Sequence, residues 1–408
     1  MKRSFKAFVA VALAAAMVFA VVPVLAQKAE KAVCRTAPAG YNENDYTKMV
    51  EFLEMTDDSG VKNGDKLVSG YDPNDPGTWQ PRIQWTMQGG EYRLLAADMS
   101  FGEFCGPLDL SDCVELVLLD CSFNPPLGTI NVRGCTGLRE LYCIACSLTE
   151  LDVSTNTAME LLNCNSNMLR ELDVSALTQI NSLSCPYNSL TELDLSENTN
   201  ITWLQFNGNP ISEIDLSMLP QLELLDCGET ALTSIDLSHN PLINTLNCQG
   251  NRMRELDLSA NPILAYDHII AQGSGYIGYG YSSVDGNSSG MLHAYPMGDA
   301  GFEGFYTGNG DLIDEGTYQE YYVEFATYEF GFEGYFDGDV IARFENSGTG
   351  QGDVNGDGSV TVEDAISLLR LIMTLQSDAD LSAADMDGNG TVDISDAILV
   401  LRTALGLA

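Results

Sequence analysis

The chain has 408 residues, of which 58 are acidic and 19 are lysine or arginine, so its formal net charge is −39. Such an acidic chain repels phosphate, so nucleic acid and anionic membrane surfaces are poor partners for it. A chain of this length is expected to contain two to four domains.

Residues 1–26 have the pattern of an export signal. Lys2, Arg3 and Lys6 precede a long apolar run that ends at Ala26, where small residues suit signal peptidase. An uncleaved transmembrane anchor is the alternative. No later run reaches about 18 apolar residues, so we expect a secreted, cell-surface-associated protein with no membrane insertion after cleavage.

Residues 34–94 predict an N-terminal cap for the repeats that follow. Apolar residues recur there at helical spacing and indicate one amphipathic helix: Tyr46, Met49, Val50 and Leu53. A stretch rich in proline and glycine comes next. Its tryptophans, Trp79 and Trp85, are expected to cover the first repeat.

Residues 95–264 repeat with a period of 21 and the pattern L-x-x-L-x-C-x-x-N-x-L-x-x-L-D-L-S-x-N-x-x. Six consecutive units begin at Leu138, Met159, Ile180, Ile201, Leu222 and Ile243. A fixed period of this length is typical of a solenoid, in which each unit buries its apolar face against its neighbours.

One slot of the repeat holds a column of cysteines: Cys143, Cys164, Cys185, Cys227 and Cys248, with Phe206 in the remaining unit. Three explanations of this column are possible: disulfides, a metal cluster, or a structural role in the core. The slot alternates with exposed positions, so its side chain points inward. Stacked strands separate equivalent Cβ atoms by about 4.8 Å, too far for a disulfide. Metal-type C-x-x-C spacing occurs only at Cys143 and Cys146, so we favour reduced, buried thiols.

The units resemble bacterial leucine-rich repeats; one clear copy consists of Leu161, Leu162, Cys164, Asn167, Leu169, Leu172 and Val174. The resemblance implies a short parallel strand per repeat and a curved stack with a concave binding face. We call its predicted exposed strand positions the ligand face: Tyr142, Asn163, Asn165, Tyr187, Trp203, Gln205, Asn207 and Asn247, together with Leu161, Ser184, Asp226 and Gln249. Aromatic and amide side chains suit a glycan or a protein partner, and an unused surface is the alternative.

Two further columns have structural interpretations. Asparagines follow the strand at Asn167, Asn188, Asn209 and Asn251, where a stacked amide can satisfy buried backbone groups. Aspartates recur at Asp152, Asp173, Asp194, Asp215, Asp236 and Asp257. They could be mistaken for catalytic carboxylates, but short acidic side chains commonly cap their own turns.

Residues 265–346 are rich in glycine and aromatic residues and alternate in the manner of β-strands. Their motif resembles the small β repeat that follows leucine-rich repeats in internalin-type proteins: Ala294, Pro296, Gly301, Phe302, Gly304, Phe305 and Tyr306. The aromatic residues are more typical of a small-domain core than of a sugar platform. A short linker, residues 347–351, follows.

Two acidic loops of twelve residues, 353–364 and 385–396, lie 32 residues apart near the C-terminus. Both place oxygen donors at positions 1, 3, 5, 7 and 12 and glycine at position 6, which is the pattern of a calcium loop. The sequence therefore predicts two Ca²⁺ ions, held by Asp353, Asn355, Asp357, Ser359 and Asp364, and by Asp385, Asp387, Asn389, Thr391 and Asp396.

Position 12 is aspartate and no helix precedes either loop, but an amphipathic helix follows each one. This duplicated loop–helix unit over residues 352–408 resembles a type I dockerin, the module that attaches secreted proteins to cohesin domains of a scaffoldin. The resemblance implies cohesin contacts at loop positions 10 and 11 and on the following helices: Val362, Glu363, Arg370, Ile394, Ser395 and Arg402.

The fold class predicted is multidomain: a leucine-rich-repeat solenoid of parallel β-strands, a small β-rich module and an all-α calcium-loop dockerin. The function predicted is a non-catalytic adaptor in a cellulosome-like, polysaccharide-degrading complex. Neither a G-x-S-x-G nor an H-E-x-x-H motif occurs, and these modules leave no residues for a hydrolase domain. The alternatives are a glycoside hydrolase whose carboxylate pair is not recognised, an adhesin or a peptidase inhibitor.

Overall fold

The computed structural model describes residues 36–264, seven segments of the following module (268–272, 275–284, 287–296, 301–307, 311–320, 326–333 and 339–344) and residues 360, 362, 365, 368, 386 and 394–405. The chain forms two compact units, Met1–Pro210 and Ile211–Ala408. The domain boundaries expected from the sequence remain predictions.

The first unit begins with the predicted amphipathic helix, α1 (Glu43–Leu53), whose first turn is capped by the Asn42 side chain. Helix α2 (Asn63–Leu67), a 3₁₀ turn (Pro76–Trp79) and the antiparallel strands β1 (Ile83–Gln88) and β2 (Glu91–Asp98) follow. All four predicted apolar residues of α1 are buried.

Aromatic stacking and one ion pair join α1 to the rest of this N-terminal region. Trp79 is fully buried and its ring lies 5.8 Å from that of Tyr46. Asp45 is also fully buried and accepts hydrogen bonds from Arg93 Nε at 2.8 Å and from the backbone N–H of Leu94 at 2.9 Å. A buried carboxylate needs such partners, so this contact fixes α1 against β2.

The repeats of the first unit each contribute a short strand. These are β3 (Leu108–Asp109), β4 (Leu118–Asp120), β5 (Ile130–Asn131), β6 (Glu140–Tyr142), β7 (Leu161–Asn163), β8 (Ser182–Ser184) and β9 (Trp203–Gln205). From β2 onwards the order β2-β4-β6-β7-β8-β9 is parallel, and β3 pairs with β5 in a second parallel sheet. The parallel stack confirms the predicted solenoid.

The second unit continues with two parallel repeat strands, β10 (Leu224–Asp226) and β11 (Thr245–Asn247). A further strand, β12 (Glu255–Asp257), lies in the last repeat. The predicted β-rich region follows as β13 (His268–Gln272), β14 (Gly275–Val284), β15 (Asn287–Pro296), β16 (Phe302–Thr307), β17 (Leu312–Asp314), β18 (Thr317–Glu320), β19 (Ala326–Glu333) and β20 (Val340–Phe344). Strand β14 pairs antiparallel with β11, so one sheet runs β10-β11-β14-β15-β19-β18. A second sheet runs β12-β13-β20-β16-β17.

The last described element is helix α3 (Ile394–Ala404). Within the part of the chain that the structure describes, no helix is long and apolar enough to span a membrane.

Candidate binding surfaces

The cysteine column lies in the core, as predicted. All five column members are fully buried, and all ten described cysteines are free thiols. Burial raises the pKa of Cys164 and Cys248 to about 12, so both remain protonated at neutral pH. The thiols act here as small apolar side chains rather than as reactive groups.

The turn asparagines, which comprise the four predicted residues and Asn124, satisfy the buried backbone at the end of each strand. In a typical case the Asn188 amide nitrogen donates to the Cys164 and Cys185 carbonyls, both at 3.1 Å. Its oxygen accepts the backbone N–H of Leu169 at 3.0 Å. Each amide thus joins its own repeat to the preceding one, which confirms the predicted structural role.

Cys146 and Thr230 replace asparagine in two repeats and keep a donor in the slot. Cys146 Sγ donates to the Cys121 carbonyl at 3.1 Å, while Thr230 Oγ1 donates to the Cys227 carbonyl at 3.1 Å. Cys146 is therefore a hydrogen-bonding member of the turn, which agrees with its predicted structural role.

A second asparagine set was missed by the sequence interpretation: Asn156, Asn198, Asn240 and Asn261. Each is buried and donates through its amide to two backbone carbonyls; Asn198, for example, bonds Val174 and Leu177. Asparagine in the recurring L-D-L-S-x-N segment was the signal available in the sequence.

The aspartate column caps turns, as predicted. In all six cases Oδ1 accepts the backbone N–H of the serine two residues later, at 2.9–3.0 Å. Hydrogen bonds from the Ser154 and Ser175 side chains, followed by those from their backbone amides, hold the pKa of Asp152 and Asp173 below the usual value. Because each carboxylate is engaged by its own turn, the column has a local structural explanation.

Most of the ligand face lies in the first unit. Cross-strand pairs place Tyr142 beside Asn163, and Asn163 beside Ser184. Trp203 begins β9 and is 43% exposed, which makes it the most accessible large side chain of this set. Seven further predicted residues are half-buried: Tyr142, Leu161, Asn163, Asn165, Tyr187, Gln205 and Asn207.

The polar side chains of this face bond to one another. Asn165 Oδ1 accepts the Ser166 hydroxyl at 2.6 Å, and Gln205 Oε1 accepts the Ser184 hydroxyl at 3.2 Å. In the second unit, Asn247 Nδ2 donates to Asp226 Oδ1 at 2.9 Å. The face is thus an ordered polar surface rather than a set of independent side chains.

Two predictions for the ligand face were wrong. Ser184 and Asp226 were expected to be exposed, but only 6% of Ser184 and 9% of Asp226 is accessible. Ser184 is a short side chain bonded to the longer Gln205, and Asp226 is bonded to Asn247 and to the backbone N–H of Gly228. Burial raises the pKa of Asp226 to about 6.

Helix α3 has one buried face and one exposed face. Ala397 and Val400 pack with Ala365 and Leu368 in a small core. The opposite side carries an apolar row at positions 394, 398, 401 and 405, whose members are between 38% and 62% exposed: Ile394, Ile398, Leu401 and Leu405.

Most predicted calcium ligands lie outside the described residues: Asp353, Asn355, Asp357, Ser359, Asp364, Asp385, Asp387, Asn389 and Thr391. Asp396 is described and is fully buried at the start of α3. Its Oδ1 accepts the backbone N–H of Met386 at 2.8 Å, a contact between the first and last parts of the second loop.

Of the predicted cohesin contacts, Val362 and Ile394 are exposed by 44% and 62%, and Arg402 is also exposed. Ser395 lies in the first turn of α3, whereas Glu363 and Arg370 lie outside the described residues.

Comparison with known proteins identifies the C-terminal part of the chain. Residues 351–403 match the dockerin type I domain. The dockerin accounts for the loop–helix pattern and contains most of α3.

Solved structures from two bacteria are similar to part of the chain. The functional domain of InlJ from Listeria monocytogenes, described as including a cysteine ladder, is 32% identical over 38% of this chain and 44% of that chain, with a TM-score of 0.30. A leucine-rich-repeat protein of Leptospira interrogans is 14% identical over 42% of this chain and 65% of that one, with a TM-score of 0.26. The chain thus spans less than two thirds of either protein. Among curated proteins, none matches.

Proposed function

We propose that this chain is a secreted, non-catalytic binding protein that docks through its dockerin onto a cohesin domain of a scaffoldin, in a polysaccharide-degrading complex. In this proposal the solenoid presents its ligand face to a protein or glycan. The match of residues 351–403 to a dockerin, with the exposed apolar row of α3, carries the proposal.

The apolar row supplies the contact surface. Ile394, Ile398, Leu401 and Leu405 recur at the four- and three-residue spacing that places side chains on one side of a helix. Exposed apolar rows on soluble proteins are typical of interaction sites, and an amphipathic helix binds through such a row. Val362 and Arg402 extend this candidate surface with an apolar and a basic side chain.

The loop residues fit two calcium ions. Their predicted donors are carboxylate, amide and carbonyl oxygens, the ligands that Ca²⁺ prefers. Asp396 adds a structural reason, because it places a fully buried carboxylate at the last ligand position of the second loop. When bound, calcium would supply a positive charge beside it. The loop residues would hold the ion. The hydrogen bond from the Met386 N–H to Asp396 connects the second loop to α3.

Substitution on α3 tests the docking proposal. We expect Ile398→Glu to abolish capture by a panel of type I cohesin domains in calcium buffer, because it puts a charge in the apolar row. Ile263→Glu is the matched control, since Ile263 is also exposed but lies in the solenoid. Equal loss in both variants, or capture by neither wild type nor variants, would contradict the proposal.

The ligand face needs a separate test. A glycan array and a protein-interaction screen with the whole chain supply candidate ligands. Trp203→Ala should then weaken binding by about 2 kcal/mol or more, whereas Met168→Ala, an equally exposed residue, should leave it unchanged. Release of reducing sugar from plant polysaccharides by the purified chain would favour the hydrolase alternative instead.

A further inference from the structure

One position in every repeat has a left-handed backbone conformation, and we call this set the left-handed column. Its φ angles in the first unit lie between 51° and 69°. The members there are Phe101, Phe123, Ala145, Ser166, Tyr187 and Gly208, and Glu229 and Gly250 have the same conformation in the second unit.

The repeat imposes this conformation through its backbone hydrogen bonds. The N–H of Phe101 donates to the Ser122 carbonyl at 3.0 Å, and the N–H of Ser166 donates to the Pro186 carbonyl at 2.9 Å. Glycine adopts positive φ without strain, as at Gly208, whereas a side chain at this position is strained. Large side chains in the column therefore oppose the local backbone preference.

Phe101 and Phe123 are large, and they are also exposed to solvent. Phe101 is 72% and Phe123 38% accessible, and their rings stack at 4.3 Å with planes only 12° apart. Folding gains little from a strained side chain that is as exposed as Phe101. A large side chain in such a position therefore indicates a binding role.

The strand that precedes each of these phenylalanines ends in an aspartate. Asp98 and Asp120 are cross-strand partners at the ends of β2 and β4, three residues before Phe101 and Phe123 respectively. Arg82 bridges Asp98 at 3.0 Å, but among the ion pairs of residues 36–264 none involves Asp120 or the exposed Glu103.

We propose that Phe101 and Phe123 form a platform that binds an arginine side chain of a protein partner. Aromatic faces attract cations, and a planar guanidinium can stack on them while the acidic residues of the same repeats, Asp120 and Glu103, attract its charge. A second copy of this chain is disfavoured because each copy carries a net charge of −39. The platform belongs to the solenoid and is independent of the dockerin and of cohesin binding.

The test uses the whole protein with its phenylalanine rings labelled with ¹³C, observed by NMR. The probe is the peptide acetyl-Gly-Arg-Gly-Arg-Gly-amide, and the same peptide with citrulline in place of arginine keeps the shape without the charge. The variants are Phe101→Gly and Phe123→Gly, which identify the two ring signals. Ser166→Gly is the matched control, because it relieves the same backbone strain without removing a ring. None of the three substitutions changes the charge of the protein.

We expect the arginine peptide to shift both ring signals of the wild-type protein, and the citrulline peptide to bind more weakly. Each phenylalanine variant should weaken binding about threefold or more, while Ser166→Gly binds as the wild type does. Thermal unfolding followed by circular dichroism should give cooperative melting for all three variants. Wild-type affinity in Phe101→Gly would overturn the proposal. So would ring shifts caused by cellohexaose but not by the arginine peptide, since these would indicate a glycan platform.

Discussion

Two asparagine-to-leucine substitutions in neighbouring turns should differ sharply in their cost. Asn188 uses both ends of its amide: it donates to three carbonyls at 3.1–3.2 Å and accepts the Leu169 N–H. Asn198 donates to only two carbonyls, and within the described residues its Oδ1 is buried with no hydrogen-bond partner. The substitutions are Asn188→Leu and Asn198→Leu.

The magnitude follows from these contacts. A net hydrogen bond contributes about 1 kcal/mol, and a buried group left without one costs about 1–3 kcal/mol. Asn188→Leu leaves the Leu169 N–H unsatisfied and removes three donated hydrogen bonds, although each of those carbonyls keeps another donor, so we expect a loss of about 2–4 kcal/mol. Asn198→Leu loses two bonds but removes the unpaired oxygen, and the cost should be about 1 kcal/mol. Leucine already fills the same slot at Leu177 and Leu219, where it is buried.

Urea denaturation of the whole chain, followed by circular dichroism, measures both free energies of unfolding. The midpoint should fall in both variants, and the m-value of the transition should stay that of the wild type. The roles assigned to the two asparagine sets would be refuted if Asn188→Leu cost no more than Asn198→Leu.

Three other predictions concern buried and titrating groups. Few thiols should react with a disulfide reagent in the native protein and many in urea; a mapped disulfide within the column would contradict this. Cys185→Ser should lower the free energy of unfolding by about 1–3 kcal/mol, because it buries a hydroxyl. Burial raises the pKa of Asp226 to about 6, above its unfolded value, so the wild type should lose stability as pH rises from about 4 to 6. Asp226→Asn should therefore be more stable at pH 7, by up to about 3 kcal/mol, and equally stable near pH 3.5, as unfolding at the two pH values would measure. Burial lowers the pKa of His268, but its hydrogen bond with Asp339 and the charge of Asp257 outweigh that effect, so the net shift is upward. The stabilisation that His268 contributes should be complete below about pH 6.5 and lost as the pH rises through the folded pKa. If the stability of His268→Gln depends on pH as that of the wild type does, this prediction is wrong.

The sequence predicted the features that follow from a fixed period. Twenty-one residues per unit determine which side chains point inward, so the burial of Cys164 and the bonding of Asn188 could be predicted without coordinates. The dockerin was similarly predictable, because each calcium loop is encoded by one continuous segment.

Features that depend on side chains in neighbouring repeats were not predictable. Ser184 occupies a strand position that alternation makes exposed, yet the longer side chain of Gln205 bonds to it and it is buried. The stacking of Phe101 on Phe123 also depends on a left-handed backbone that no glycine marks at either position. Both features arise from contacts between units, which the pattern within one unit does not contain.

Calcium-dependent capture by cohesin tests the central claim most directly. Calorimetric titration of the whole chain with type I cohesin domains is to be run in calcium and in chelator, with Asp353→Ala combined with Asp385→Ala as the variant. The loop carboxylates repel one another until calcium neutralises them, so binding of the ion should also order the helices. We predict a complex with at least one cohesin in calcium, and none in chelator or with the double variant. Cohesin binding of equal strength in chelator, or the absence of any complex in calcium, would contradict the account.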